Sequence, residues 1–459
     1  FFISGETVRD HDQTVVCYVA TWAVYRPNRG RFTLDDVDPM LCTHLVYSFL
    51  GMDDKSFTLI PLDPEYDINK GGFEKAIGLR AQNPQLKVTV AVGGWTEGSE
   101  KYSAMASTPA SRKAFIDSVV AFLKKYDFDG LDLDWEYPAN RGGKPEDKQN
   151  FVLLVKELKE VFEDNGWLLT AAVGAGKSTI DSAYDIPGMS KYLDYIHLMG
   201  YDYHGRWDQK TGHNAPLYPR ADETLNEQML NVNYSVRYYL ERGADPEKFV
   251  LGLGLYGRTF LLTNSSNPGI GAPARKSAFA GPYTREDGFL GFNEICEKLL
   301  TEKSWSLAWQ EAHQAPYMFK ENMWVSFDDV NSLGIKVAFA QRLGLAGVMV
   351  WSMDTDDFSG QCGTRFPLLN SINRNLVLHA DSRNTEVFQP IDTSVDMDMD
   401  MDGDLDKDKP KTSVIDFDTD NNIQDSVYYP VEGKRSSAGY AELSVPIILS
   451  LSLAFLFSS

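Results

Sequence analysis

The 459-residue chain is short of basic side chains, with 44 lysines and arginines against 65 aspartates and glutamates and a net charge of −21. Nucleic acids are bound through a basic footprint, so this balance predicts no nucleic-acid partner. The acidic excess is concentrated, since residues 386–432 contain 14 acidic side chains and three lysines, about half of the net charge. Hydrophobic residues make up 43% of the chain, which is enough for a sizeable core.

Cysteine is scarce as well, with residues only at positions 17, 42, 296 and 362. None of them forms a CxxC pair of the kind found in zinc sites, and we predict neither a metal site nor a cofactor. An even count fits two disulfides and an oxidising compartment, while four reduced core thiols are the alternative. Two sequons, at Asn233 and Asn264, are compatible with glycosylation and secretion.

The hydrophobic C-terminal tail, 444–459, lacks the ~20 residues that a membrane-spanning helix needs. Its apolar part, 445–457, has 13 residues, and small residues at 436–439 precede it after a brief polar spacer. This arrangement resembles a glycosylphosphatidylinositol (GPI) attachment signal, with a plain hydrophobic tail as the alternative. Residues 1–5 resemble the last piece of an apolar signal segment. We therefore expect an extracellular protein, secreted or held by a lipid anchor at the outer face of the plasma membrane.

Two other motifs are incomplete. Residues 396–404 alternate aspartate with methionine or glycine, and like charges at every second position oppose both strand and helix. We predict a disordered acidic linker over 380–443; calcium binding is the alternative, although the register of an EF-hand is missing. Residues 174–178 read GAGKS, but a phosphate-binding loop requires glycine at position 171, which is Ala171 here. A nucleotide site is therefore not expected.

Apolar runs of strand length recur through the first 355 residues, with helical patterns between most of them. The runs are almost continuously apolar, as expected for parallel strands covered on both faces. Eight β–α alternations over about 360 residues predict an α/β fold, a (β/α)8 TIM barrel, with a doubly wound open sheet as the alternative. The eight runs are Val15–Ala20, His44–Phe49, Val88–Val92, Gly130–Asp134, Leu168–Val173, Tyr195–Met199, Val250–Leu255 and Gly347–Ser352. The helical patterns include Ser111–Tyr126, Lys148–Glu163, Leu225–Arg242 and Val330–Leu343.

The interval between the seventh and eighth runs is too long for one helix. Residues 260–329 contain short segments rich in glycine, proline and aromatic residues. We predict that they form a small α+β insertion domain on the rim of a barrel that spans 14–378.

Three acidic residues alternate along the fourth run. Because side chains of a strand alternate between its faces, Asp132, Asp134 and Glu136 point to one side, and the intervening apolar residues point to the other. The apolar side faces the helices, so the carboxyl groups face the barrel axis. Unpaired buried charges cost several kcal/mol each, which argues against a purely structural role. Such a cluster shares protons and raises a carboxyl pKa, and it lies at the strand end where barrel active sites occur.

This run, Phe128–Pro138, resembles the DxxDxDxE signature of glycoside hydrolase family 18, the chitinases and their relatives. Asp129 is the first aspartate of the signature, and further motif matches lie at 88–95, 199–205, 255–258 and 348–354. The first of these departs at Ala91, where serine is common, and we expect this to weaken one hydrogen bond to the aspartate cluster. The resemblance covers 14–378 and implies the animal or arthropod type, with an α+β insertion and the disulfides Cys17–Cys42 and Cys296–Cys362.

The resemblance also implies roles in a substrate-assisted reaction that retains configuration. Glu136 protonates the leaving oxygen, and the acetamido oxygen of the sugar attacks the anomeric carbon to form an oxazolinium ion. Asp134 binds the acetamido N–H, Asp132 shares a proton with Asp134, and Tyr201 orients the acetamido oxygen, with Asp202 beside it. Water then opens the ring with Glu136 as the base. The implied partner is chitin or chitooligosaccharide, bound by a monomer.

Family cleft positions are matched mostly by aromatic residues, on which the C–H faces of a sugar stack. For any one aromatic residue, ordinary core packing is the alternative. The implied substrate-binding residues are Trp22, Gly94, Trp95, Tyr137, Met199, Trp207, Tyr256, Arg258 and Trp351.

Three other functions remain alternatives. A chitinase-like lectin would have the same barrel without turnover, but such relatives typically lack an acid of the signature, and all four are present here. An endo-β-N-acetylglucosaminidase would release glycans from glycoproteins. A structural surface protein would depend on the tail and anchor rather than on Glu136.

Overall fold

The computed structural model describes residues 11–380. The predicted signal remnant (1–5), the hydrophobic tail (444–459) with its GPI signal and nearly all of the acidic linker (380–443) lie outside that range. Within residues 11–380, no helix has the length and apolar character that crossing a membrane requires.

The secondary structure alternates between strands and helices for most of the chain. In chain order the strands are β1 Thr14–Ala20, β2 His44–Met52, β3 Leu59–Pro61, β4 Lys87–Gly93, β5 Gly130–Asp134, β6 Leu168–Val173, β7 Tyr195–Leu198, β8 Phe249–Gly254, β9 Tyr256–Leu261, β10 Phe289–Gly291, β11 Ser306–Gln310, β12 Ala315–Lys320, β13 Met323–Ser326 and β14 Gly347–Trp351. The helices are α1 Gly72–Gly78, α2 Glu100–Ala106, α3 Pro109–Tyr126, α4 Asp147–Glu163, α5 Lys177–Ala183, α6 Ile186–Tyr192, α7 Val232–Glu241, α8 Phe292–Thr301, α9 Val330–Arg342 and α10 Pro367–Leu378.

Eight parallel strands close into a barrel. The pairing runs β1-β2-β4-β5-β6-β7-β8-β14, and β14 returns to β1 with Thr14 opposite Gly347. The short β3 is antiparallel and pairs with residues 50–52 at the C-terminal end of β2. Because the ring has no open edge, the TIM barrel is confirmed and the open sheet is excluded. All eight predicted runs are barrel strands, with ends that differ by at most three residues.

One helix is shorter than its apolar pattern predicted. The pattern covers 225–242, whereas α7 is Val232–Glu241. Asn231 caps its first turn, because its side chain accepts the Tyr234 N–H at 2.9 Å. Residues 225–230, before this cap, form turns and a short 3-10 helix, Glu227–Met229, instead.

The long interval between β8 and β14 contains a second sheet. Its five strands are antiparallel, in the order β10-β9-β13-β12-β11, and α8 follows β10. The sheet extends over 256–326, so it begins four residues before the predicted 260–329 insertion. Only Leu255 separates β8 from β9, and its N–H binds the main-chain oxygen of Trp351 at 2.8 Å. The apolar sequence runs on through this point, which conceals the departure from the barrel.

Two disulfides link distant parts of the chain, and both predicted pairings are confirmed. Cys17–Cys42 joins β1 to the residues before β2, and Cys296–Cys362 joins α8 to the segment after β14. Asp357 lies near the second bridge, but its carboxylate accepts the Cys362 N–H at 2.7 Å, and the two sulfurs are already bonded to each other. This group of three side chains therefore offers no thiolate to a metal.

Candidate active site

Asp132 faces the barrel axis. Its Oδ2 accepts the hydroxyl of Tyr18 at 2.7 Å, and its Oδ1 accepts the hydroxyl of Thr170 at 2.6 Å. These partners belong to β1 and β6, so the contacts cross the barrel interior. On the opposite face of the same segment, Trp135 donates its indole N–H to Ser99 at 2.7 Å. The alternation predicted for this segment therefore agrees with the contacts of the two faces.

His197 adds a third inward partner. Its Nδ1 lies 2.9 Å from the Tyr18 hydroxyl and 3.2 Å from Asp132 Oδ1. The side chain is buried, and its Nε2 has no hydrogen-bond partner among residues 11–380. The sequence reasoning did not select His197, Tyr18 or Thr170, the three residues that contact Asp132. The available signal was a polar side chain inside a run of apolar strand residues.

Asp134 is buried at the C-terminal end of β5. Burial, together with the charges of Glu136 and Asp132, raises the pKa of Asp134 well above its usual value. Its Oδ1 has no hydrogen-bond partner among the described residues. A neutral carboxyl group with a free oxygen is able to accept one hydrogen bond and donate another to a bound ligand.

Glu136 follows on the same face and is 8% exposed. Burial raises the pKa of Glu136 to about 7; the Tyr137 side chain and Arg141 lower the pKa, and Asp202 raises it further. A carboxyl group with this pKa exists in both forms near neutral pH. It is therefore suited to donate a proton and later to accept one.

Arg141 connects Glu136 to the rim of the cleft. One guanidinium nitrogen donates to the main-chain oxygen of Glu136 at 2.9 Å, and another donates to the main-chain oxygen of Trp95 at 2.9 Å. The guanidinium carbon lies 3.5 Å from the centre of the Trp95 ring, which is 61% exposed. This residue was missed by sequence reasoning because it lies in a loop beyond the strand pattern.

The glycine pair after β4 permits close backbone approach beside the acids. A Cβ atom on Gly93 would lie 2.1 Å from the main-chain oxygen of Asp134. Gly94 has φ +87°, and a Cβ atom there would lie 2.9 Å from the ring of Phe49. The Gly94 N–H donates to the same Asp134 oxygen at 2.8 Å. Gly94 therefore contributes to the site through its backbone, which bonds Asp134 and leaves room for Phe49.

Tyr201 and Asp202 lie after β7, across the barrel mouth. Burial, with the nearby charges of Asp134, Asp202 and Glu136, raises the pKa of Tyr201 well above its usual value, so its hydroxyl is neutral and a donor. Asp202 Oδ1 accepts the Tyr256 hydroxyl at 2.7 Å and Arg258 Nε at 2.6 Å. Both partners belong to β9. Two residues expected to touch substrate therefore also hold Asp202.

The aromatic residues expected in a cleft differ in exposure. Trp351 ends β14 and packs against Phe49 and Trp22, with ring centres 5.7 and 6.1 Å away. Trp22 and Trp207 are about half exposed, and the Arg258 guanidinium lies 5.3 Å from the Trp207 ring. The half-buried residues among the predicted set are Tyr137, Met199, Arg258 and Trp351.

Asp129 lies apart from this group, at the start of β5. Its Oδ2 accepts Arg80 Nη2 at 2.7 Å and the Val88 N–H at 2.7 Å. Because Asp134 and Glu136 lie at and beyond the opposite end of the strand, Asp129 belongs to the structural part of the signature, as its contact with Val88 of β4 indicates.

Comparisons with known proteins agree with this geometry. The profile of the glycosyl hydrolases family 18 matches residues 14–356. "Probable chitinase 2" of Drosophila melanogaster is 46% identical over 428 residues, covering 85% of this chain and 86% of that protein. The Group IV chitinase of Ostrinia furnacalis, solved in complex with allosamidin, is 47% identical with a TM-score of 0.79, covering 80% of this chain and all of the other. Human YKL-39, described as a pseudo-chitinase that retains chitooligosaccharide binding, is 36% identical with a TM-score of 0.74, covering 80% of this chain and all of the other.

Proposed function

The chain belongs to the glycosyl hydrolases family 18, and from that premise we propose that it is a chitinase that retains configuration. The substrate is chitin or chitooligosaccharide, and the bond cleaved is the β-1,4 link between N-acetylglucosamine units. One observation carries the proposal: Asp132 and Asp134 lie on the inward face of β5, and Glu136, two residues beyond the strand, has a pKa of about 7 at the mouth of the barrel.

Glu136 is the general acid of the proposed first step. Its carboxyl group is largely protonated below pH 7 and transfers that proton to the glycosidic oxygen as the bond to the anomeric carbon breaks. The acetamido oxygen of the same sugar forms the new bond, which yields a cyclic oxazolinium ion. The positive charge of that ion is delocalised over the ring that contains the former amide.

Asp134 and Tyr201 orient the acetamido group in this proposal. The unpartnered Asp134 oxygen accepts the amide N–H, and the neutral Tyr201 hydroxyl donates to the amide oxygen. Asp132, held by Tyr18 and Thr170, remains beside Asp134 and shares its proton as charge develops. Two fixed contacts to one amide leave it a single orientation towards the anomeric carbon.

The second step returns Glu136 to its starting state. The sugar that leaves with the transferred proton vacates the space next to Glu136, and water enters there. Glu136, now ionised, takes a proton from that water while the water oxygen attacks the anomeric carbon. The oxazolinium ring opens, the acetamido group is restored, and two inversions give net retention.

The cleft aromatics bind the polymer in this proposal. Trp22, Trp95 and Trp207 each expose about half or more of their surface, which is available for stacking on pyranose faces. Trp351, packed against Phe49, forms the floor beneath the sugar that reacts. Gly94 and Met199 line the walls, and Tyr137 lies next to the acid.

The lectin and endo-β-N-acetylglucosaminidase alternatives are separated by products. A lectin would bind chitohexaose without releasing shorter oligomers, and an endo-β-N-acetylglucosaminidase would release glycans from a glycoprotein. The presence of all four signature acids favours the enzyme over a lectin. The three exposed tryptophans, Trp22, Trp95 and Trp207, favour a linear polymer over a branched glycan.

The test is Glu136→Gln, which preserves shape and removes the transferable proton. We expect chitohexaose hydrolysis to fall by about 100-fold to 10,000-fold, while the dissociation constant for chitohexaose changes little. Liquid chromatography of products and calorimetric titration measure the two quantities. A hydrolysis rate equal to that of the parent would overturn the assignment of the acid.

We also propose an extracellular location, supported by the two disulfides. Asn264 lies exposed in a turn and is the better glycosylation candidate, whereas Asn233 is half-buried in α7 with its Oδ1 bonded to Arg237 Nε at 2.9 Å. Digestion with a glycosidase that releases N-glycans, followed by mass analysis of the peptides, tests both positions. The GPI anchor is tested by release of the protein from cells with a phosphatidylinositol-specific phospholipase.

A further inference from the structure

Asn214 is a fully buried residue outside every motif described above, on the segment between β7 and α7. Its side-chain Oδ1 accepts the N–H of Asp202 at 3.0 Å. Its main-chain oxygen accepts the N–H of the next residue, Tyr203, also at 3.0 Å. One residue therefore binds two consecutive peptide N–H groups of the turn that carries Tyr201 and Asp202.

The turn that Asn214 holds has an uncommon backbone conformation. Asp202 has φ +60°, in the left-handed region that side-chain-bearing residues rarely adopt, although aspartate tolerates it better than most. A rotation of this turn towards ordinary dihedral angles would break both bonds to Asn214. It would also move the Asp202 carboxylate away from Tyr256 and Arg258, and it would turn the preceding Tyr201 relative to Asp134.

Asn214 is fixed in turn by the second sheet. Its main-chain N–H donates to Ser326 Oγ at 3.0 Å, and its Nδ2 lies 3.5 Å from the main-chain oxygen of Tyr256. Ser326 ends β13 and is fully buried, and Tyr256 begins β9. The second sheet therefore contacts the Asp202 turn in two ways. Tyr256 and Arg258 of β9 bind Asp202 directly, and Ser326 of β13 binds Asn214, which in turn binds the turn.

We propose that Asn214 is a positioning residue for glycoside hydrolysis, which fixes the Tyr201–Asp202 turn against the second sheet so that the substrate acetamido group is held for attack. The inference rests on the proposed function, since it assigns to that turn the orientation of the acetamido group. Asn214 itself touches no reacting atom. It acts through the backbone of Asp202.

The test separates positioning from binding. Asn214→Ala removes Oδ1, and a displacement of about 1 Å at a reacting group lowers a rate by roughly 100-fold. We expect kcat on chitohexaose to fall by about 10-fold to 100-fold. Affinity for a chitobiose thiazoline, a stable mimic of the oxazolinium ring, should fall by a similar factor. Affinity for chitohexaose, measured in the Glu136→Gln background, should stay within about twofold because the aromatic contacts are unchanged.

Asn83→Ala is the matched control. Asn83 is also buried, its Oδ1 accepts the Gln85 N–H at 3.2 Å, and its Nδ2 donates to the main-chain oxygen of Pro39 at 2.8 Å. It precedes β4, at the end of the barrel opposite the acids. We expect it to lower the melting temperature without changing kcat. A fall in kcat that occurs in Asn214→Ala but not in Asn83→Ala is therefore not explained by a general loss of stability.

Asn214→Asp supplies the rescue, because it keeps an oxygen at the position that accepts the Asp202 N–H. At pH 5, where a buried carboxyl group is neutral, it should recover most of the rate lost in Asn214→Ala. If Asn214→Ala does not fold, Ser326→Ala replaces it, with a reduced kcat and unchanged chitohexaose affinity expected. Parent-like kcat and thiazoline affinity in the folded variant overturn the inference alone. Absence of hydrolysis by the parent protein overturns the proposed function instead.

Discussion

Replacing Arg141 should move the basic limb of the pH–rate profile to higher pH. Arg141 lowers the pKa of Glu136, which is about 7, so its removal in Arg141→Gln raises that pKa. The guanidinium is exposed at the rim, and an interaction of about 1 kcal/mol is appropriate for a charge next to water. That energy corresponds to a pKa change of about 0.7.

The expected profile follows from the protonated fraction of Glu136. With a pKa of about 7, roughly one tenth of the parent enzyme carries the proton at pH 8, and roughly one third does so after a rise of about 0.7. Relative to its own optimum, kcat/KM of Arg141→Gln at pH 8 should therefore be about threefold higher than that of the parent. Arg141→Lys keeps the charge and should leave the limb in place.

Initial rates on a fluorogenic chitobioside between pH 4 and pH 9, at constant ionic strength, measure this limb. The difference between the two variants should shrink in 1 M salt, because exposed charges are screened. A limb that stays in place, or that moves to lower pH, in Arg141→Gln would refute the electrostatic role of this residue and the assignment of the limb to Glu136.

Two stability measurements test other features of the structure. Glu136 has a pKa near 4.5 in the unfolded chain and about 7 in the folded one, so the folded state binds more protons in this window and stability falls as pH rises through it. Glu136→Gln removes this penalty and should be more stable than the parent by about 3 kcal/mol at pH 8 but not at pH 4, as measured by chemical denaturation; equal differences at both pH values would argue against the raised pKa. The Cys296–Cys362 bridge closes a span of 66 residues, so the double serine variant should lose about 4 kcal/mol; an unchanged denaturation midpoint would contradict its stabilising role.

Local sequence patterns predicted most of the barrel. Parallel strands covered on both faces are apolar throughout, and this feature is visible in the sequence one strand at a time. The start of the second sheet at Tyr256 was not predicted. A single residue, Leu255, separates β9 from β8, and both of these strands are mostly buried. The late start of α7, after Asn231 rather than at residue 225, required recognition of a cap whose bonding depends on the surrounding turn.

The acids of the site were predicted because they lie on one strand and obey its two-residue period. Their partners come from other parts of the chain. Tyr18, Thr170 and His197 meet Asp132 only when the barrel closes, and Asn214 reaches Asp202 through a loop held by the second sheet. Such contacts depend on the relative placement of segments that are far apart in the chain. The hydrophobic periodicity within one segment does not predict them.

The central claim is that the acetamido group of the substrate attacks the anomeric carbon, guided by Asp134 and Tyr201. The most direct measurement is kcat for a series of aryl chitobiosides whose reacting sugar carries an acetyl, fluoroacetyl, difluoroacetyl or trifluoroacetyl group on nitrogen. Each fluorine withdraws electrons from the amide oxygen and weakens it as a nucleophile. The account predicts that kcat falls progressively along the series, while a kcat that is independent of fluorine content would contradict it.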